Sequence, residues 1–201
     1  RIGQLFMVRA HSDKGPDHVA EVKRLIQRWK PGGLIFFQGT ARQQALLTNQ
    51  YQQLSDISLF IAMDAEWGLG MRLEDVPDFP HQLQLGAVQD DQLIYRVGAA
   101  VGRQCHRLGV HINFAPVADI NNNPDNPVIG FRSFGEDRYN VAAKSFWFAK
   151  GLQSEGVMPC AKHFPGHGDT DVDSHLDLPI IRHPRQRLDS VELFPFRFLA
   201  Q

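Results

Sequence analysis

Two short apolar runs decide the reading of the fold: Leu34-Ile35-Phe36-Phe37 and Ile57-Ser58-Leu59-Phe60-Ile61-Ala62-Met63, the first closing on Gly39 and the second on Asp64. Runs of about four to eight apolar residues bounded by turn signals read as strands buried on both faces. Between them, Thr40 is a good N-cap, and Leu47, Tyr51 and Leu54 recur at helical spacing behind it. A strand, a helix and a second buried strand form one parallel crossover unit.

The same unit repeats outward in both directions. Towards the N-terminus, Gln4 to Val8 reads as a strand, followed by a helix capped by Asp17 with Val19, Val22, Leu25, Ile26 and Trp29 on one face. Pro31, Gly32 and Gly33 stop that helix. Towards the C-terminus, an irregular stretch from Ala65 to Phe79 leads to a helix opened by Asp91 and marked by Leu93, Ile94, Val97, Val101, Cys105 and Leu108. Val110 to Val117 is a fourth strand, and the Asn121-Asn122-Asn123-Pro124-Asp125-Asn126-Pro127 run after it is loop. Asp137 begins another helix, Val157 to Ala161 is a fifth strand, and Pro195 suits the first turn of a last helix. Phe36, Phe37 and Phe60 read as core.

Strands that each run into a polar loop and then a helix match successive units of a (β/α)8 TIM-type barrel, with a doubly wound sheet as the other α/β arrangement. A whole barrel takes about 250 residues, so residues 1–201 read as the N-terminal portion of one barrel domain, about five βα units, completed by chain beyond Gln201.

Charge narrows the partners. Lys and Arg number 21 against 22 Asp and Glu, a formal net charge of -1, which offers no general field for nucleic acid. No apolar stretch approaches the roughly 20 residues of a membrane-spanning helix. The chain opens on Arg1, as a trimmed product would, so the compartment stays open between periplasm, envelope and cytoplasm. Cys105 and Cys160, far apart in apolar surroundings, read as buried free thiols.

Titratable side chains crowd the exit of the fifth strand: Lys162-His163-Phe164-Pro165-Gly166-His167-Gly168-Asp169-Thr170, then Asp173-Ser174-His175. Gly and Pro permit a tight path that brings several side chains to one point. The string resembles the signature of glycoside hydrolase family 3, and Asp173-Ser174-His175 resembles that of its β-N-acetylglucosaminidase branch. The resemblance implies that His175 is the general acid/base and that Asp173 orients it. It extends upstream to Asp64-Ala65-Glu66-Trp67-Gly68 and Gly130-Phe131-Arg132-Ser133-Phe134-Gly135. By resemblance, Asp64, Arg132, Lys162 and His163 bind hydroxyls of a terminal sugar. Trp67 stands where the family often has Gly, so the indole would stack on a sugar face or reshape the rim.

The implied activity is retaining, exo-acting release of β-linked N-acetylglucosamine from peptidoglycan fragments or chitin-type oligosaccharides, with an Asp nucleophile supplied beyond residue 201. The implied partner is a carbohydrate substrate, with no cofactor and no metal. An imidazole near pKa 6.5 can give a proton to a departing oxygen and take one from water near neutrality, whereas most glycosidases use two carboxyl groups.

Other readings remain at this level. They are a β-glucosidase or phosphorolytic member of the family, a non-catalytic sugar-binding domain, and a zinc hydrolase using His163, His167 and His175, which Pro165 and its glycines disfavour as a helical ligand pair. Glu66 reads either as a surface neighbour or as the salt-bridge partner of Arg132. His11, His18, His81, His106, His111 and His183 read as ordinary surface or core histidines.

Overall fold

The computed structural model of the chain describes residues 2–173 and 176–201. Its strands are β1 (Met7–Ala10), β2 (Gly33–Phe36), β3 (Phe60–Met63), β4 (Ile112–Asn113) and β5 (Met158–Pro159). The helices are α1 (Pro16–Trp29), α2 (Ala41–Leu54), α3 (Gln82–Gly86), α4 (Asp91–Arg107), α5 (Arg138–Ser154), α6 (Arg185–Ser190) and α7 (Phe194–Leu199), with 3-10 turns at Ile2–Leu5, Leu69–Met71 and Gly130–Arg132.

All pairings are parallel, and the sheet order β1-β2-β3-β4-β5 follows chain order without a reversal. A doubly wound sheet reverses at its switch point; the sequential order is that of one side of a (β/α)8 barrel. Every strand therefore points its C-terminal end to the same rim, and Asp64 and the residues after Pro159 share it.

Capping residues set the helix starts. Thr40, Asp90 and Asp137 each accept a hydrogen bond from a backbone N–H of the following turn, which satisfies one of the donors a helix leaves open. α1 departs from expectation: Gly15 is its N-cap, Pro16 opens the first turn and Asp17 lies inside that turn. Asp17 there faces the positive end of the helix instead of capping it. Ile26 and Val22 are buried, whereas Trp29 at the helix end is exposed.

α4 and α5 pack with glycines at their contact. A Cβ on Gly98 would stand 2.3 Å from the Phe148 carbonyl oxygen, and one on Gly151 would stand 2.3 Å from that of Tyr95. Only residues without a side chain allow this approach.

Several strand boundaries differ from the sequence reading. Residues 2–5 form a 3-10 turn, so the first strand begins at Met7 and not at Gln4. The Val110–Val117 run pairs as a ladder only at Ile112–Asn113, with Val117 bridging Lys162 beyond it; Pro116 brings no N–H to a ladder. Pro159 likewise limits β5 to two residues. Phe60, at the start of β3, is half-exposed, edge-on to His111, and Phe37 is only partly buried. Cys105 is buried as expected, but Cys160 is exposed, because it follows β5, whose second edge has no strand partner among the described residues. Helices α3 and α6, of five and six residues, are too short for periodicity to reveal. No helix among the described residues is long and apolar enough to cross a membrane.

Candidate active site

Four residues expected to bind sugar meet at the C-terminal rim of the sheet, joined by buried acids. Lys162 Nζ donates to Asp64 Oδ1 at 2.7 Å and lies 2.7 Å from Glu66 Oε1. Arg132 donates through Nε to Glu66 Oε2 at 2.9 Å and through Nη2 to Glu66 Oε1 at 2.7 Å, a bidentate pair. Asp64 Oδ2 also accepts from Arg72 Nη2 at 3.0 Å. Glu66 is thus the salt-bridge partner of Arg132, and it clasps Lys162 as well.

A third carboxylate holds His163. Asp119 accepts from the backbone N–H of His163 at 3.1 Å and of His167 at 2.7 Å, and its Oδ2 lies 2.6 Å from His163 Nδ1. Arg132 Nη2 stands 3.3 Å from His163 Nε2. A guanidinium can only donate, so Nε2 is the acceptor and the proton sits on Nδ1, donated to Asp119. The two contacts together assign His163 the tautomer that carries its proton on Nδ1.

Exposure separates two groups. The side chains of Glu66 and Asp119 are 0% exposed, whereas those of Asp64, Lys162, Arg132 and His163 keep 17%, 14%, 18% and 33%. The sealed acids are scaffold, and the other four face the open side.

Burial alone would push the Glu66 carboxyl up. The Arg132 hydrogen bonds and the charges of Lys162 and Arg132 outweigh it and hold the group below its ordinary range. Burial would likewise lower Arg132, but Glu66, Asp119 and Asp64 raise it. His167 is lowered chiefly by burial; its Nδ1 meets Thr170 Oγ1, and its Nε2 has no hydrogen-bond partner among the described residues. Among the described residues, His163 and His167 belong to no group of three side chains whose ligand atoms lie close enough to share a metal ion.

Amide side chains brace the loops that carry these groups. Asn113, in β4, brackets Ala65 by accepting its N–H at 3.0 Å and donating to its carbonyl at 3.1 Å, which sets the Asp64–Glu66 turn. Gln82 brackets Val117 in the same way. Asn126 caps Val128 and Ile129 ahead of Arg132 while donating to the His167 and Thr170 carbonyls at 2.7 and 2.9 Å. At Gly168 a Cβ would lie 1.7 Å from the Ile120 carbonyl oxygen, so only glycine lets the loop pass there.

Trp67 sits beside His81 and Phe131, with ring centroids 4.7 and 6.2 Å away. His183, read from sequence as an ordinary histidine, is bonded to Asp169. The Asp173 carbonyl accepts from the N–H groups of Leu176 and Asp177 at 2.9 and 3.1 Å. The acid/base assignment to His175 lies outside the described residues. Sequence reading missed Asp119 and Arg72. Asp119 ends the apolar Val117-Ala118 pair much as Asp64 ends β3, a signal that was available; nothing in sequence marks Arg72.

A model described as the glycosyl hydrolase family 3 N-terminal domain matches residues 1–201, and the chain belongs to that family. It is 39% identical over 189 residues to beta-hexosaminidase A of Pseudoalteromonas piscicida, across 88% of this chain and 32% of that protein. A solved family 3 beta-N-acetylglucosaminidase from Paenibacillus sp. str. FPU-7 superposes with a TM-score of 0.90 at 40% identity, covering 98% of this chain and 39% of that one. NagZ from Neisseria gonorrhoeae, solved with N-trifluoroacetyl-D-glucosamine, superposes with a TM-score of 0.82 at 31% identity, covering 96% and 60%. The chain spans about a third to a half of the length of its curated relatives.

Proposed function

We propose that the complete protein is a retaining, exo-acting β-N-acetylglucosaminidase whose terminal-sugar subsite is built by Asp64, Arg132, Lys162 and His163. The observation that carries this reading is the graded exposure of the ion network: sealed acids hold two cations that still keep unused donors. Lys162 spends two of its three N–H donors, on Asp64 and Glu66. Arg132 spends four of its five, on Glu66 twice, His163, and the Val128 carbonyl. One donor on each remains beside the free lone pairs of Asp64, which matches sugar hydroxyls that both give and accept. Charged groups make the stronger bonds in such an array.

The set binds and orients; it holds no group poised to move a proton to a leaving oxygen. That role falls to His175 with Asp173. The nucleophile is an Asp from chain beyond Gln201, which also completes the barrel. In the first step the Asp attacks the anomeric carbon while protonated His175 gives its proton to the departing oxygen. In the second, neutral His175 takes a proton from a water that attacks the anomeric carbon and breaks its bond to the Asp, so that the carboxylate leaves and the sugar is released with net retention. Substrates of this class are peptidoglycan fragments and chitin-type oligosaccharides; relatives named beta-hexosaminidase support a hexosaminide as the sugar released.

The test uses the complete protein with paired chromogenic β-N-acetylglucosaminide and β-glucoside, in buffers with and without inorganic phosphate. Free N-acetylglucosamine from the first substrate is the expected product. Preference for the glucoside, or sugar 1-phosphate as product, would refute the assignment.

A further inference from the structure

A second ionic cluster lies at the base of the stretch that carries Asp173 and His175, apart from the sugar-facing network. Asp169 Oδ2 meets His183 Nε2 across 14 residues of chain, so one side-chain pair joins the two ends of the segment holding both dyad residues. Arg187 Nη2 lies 3.7 Å from Asp169 Oδ2 and donates to Glu192 Oε1 at 3.0 Å. Glu192 is itself 3% exposed and accepts from Asn122, in the loop after β4. A Cβ on Gly166 would stand 2.8 Å from the Glu192 Cβ, so the glutamate is seated against the loop that carries His163. The chain of contacts therefore ties the ends of the 169–183 segment to the scaffold of the sugar subsite.

We propose that the Asp169–His183 pair, braced by Arg187 and Glu192, is a clamp that positions the acid/base residues; the inference rests on the glycosidase reading above. Joining the ends of a segment removes conformations open to the residues between them. A charge-assisted pair does so more firmly than a neutral one. Asp169, His183 and Glu192 also place one ligand atom each within 4.8 Å of one another, a set competent for a divalent cation. Arg187 already supplies the positive charge between the two carboxylates, and the clamp needs no ion. Asp169, His183 and Arg187 are positioning residues, and the step they serve is proton donation to the departing oxygen.

That assignment separates a positioning role from a merely structural one. For a double displacement, kcat/KM reports formation of the glycosyl-enzyme, so its dependence on the leaving group reads the acid alone. In the complete enzyme, His183→Ala is expected to lower kcat/KM about 10- to 100-fold on a β-N-acetylglucosaminide with a poorly activated leaving group. The loss on the dinitrophenyl glycoside, which departs without a proton, is expected to stay below about 3-fold. His183→Gln, whose amide nitrogen can still donate to Asp169, should restore most of the difference. If His183→Ala does not fold, Asp169→Asn carries the same contrast. Equal losses on both substrates would reduce the cluster to a fold support and overturn the proposal. So would a melting temperature raised by Zn2+ in the unmodified enzyme but not in His183→Ala. No activity in the unmodified enzyme would instead sink the glycosidase reading.

Discussion

Replacing Glu66 by Gln tests the network at its most buried point. The side chain keeps its volume, so no cavity term enters, but Arg132 and Lys162 lose the charge that three close contacts end on. Removing one partner of a buried pair costs about 3–5 kcal/mol. The two cations retain less than a fifth of their side-chain surface to water, which returns part of their hydration and brings the expected loss to about 2–4 kcal/mol. At about 2–4 °C per kcal/mol for a domain of this size, the melting temperature should fall by about 4–16 °C.

The pH dependence has a defined sign. Glu66 is held below its ordinary value in the folded state, so its contribution is present above the unfolded value of about 4.3 and is lost as pH falls through the lower folded value. The gap between the unmodified protein and Glu66→Gln should therefore be full at pH 7 and should close in acid. Thermal unfolding followed by circular dichroism, from pH 7 downward, reads both quantities. A shift under about 1 °C at pH 7, or a gap that persists below the folded pKa, would refute the reasoning.

Three further outcomes follow from the geometry. His11, His111 and His167 are each lowered mainly by burial, so the unfolded chain takes protons first. Stability is then present above about pH 6.5 and lost below it, and denaturant titrations of His167→Gln should give a slope shallower by up to about 1.4 kcal/mol per pH unit. Asp119→Asn, which takes away the charge that fixes the His163 tautomer, should lower kcat/KM about 10-fold or more; nitrogen NMR of the unmodified protein should find the His163 proton on Nδ1, and finding it on Nε2 would contradict the tautomer argument. Gly98→Ala, which puts a Cβ 2.3 Å from the Phe148 carbonyl oxygen, should lower the urea midpoint by an amount equal to about 1–3 kcal/mol.

Much of the fold was legible because it rests on local chemistry. Thr40, the alternation of apolar runs with helical spacing, and the Pro and Gly stops act within a few residues of themselves, and the helices behind Thr40 and Asp137 and the one opened by Asp91 begin where expected, the last with Asp90 as its cap. Boundaries failed where a proline or a non-local partner intervened, as at Pro116, Pro159 and the turn at residues 2–5. Short α3 and α6 left no period to read. In the site, Asp64, Arg132, Lys162 and His163 were expected from the resemblance of their surrounding motifs to the family's, and the structure brings all four together.

The succession of strands and helices along the chain and the string from Lys162 to Thr170 were already determined in the sequence, since each depends on neighbours along the chain; the sequential order of the strands within the sheet, which separates a barrel from a doubly wound sheet, came only with the tertiary pairing. Tertiary structure alone decided which acid holds which cation: Glu66 and Arg132 lie 66 residues apart, and Asp64 and Lys162 lie 98 apart. It also decided that Glu66 and Asp119 are sealed while Asp64 is open. A carboxylate has the same chemistry on paper wherever it falls, and its role is set by how much water and how much positive charge distant segments leave around it.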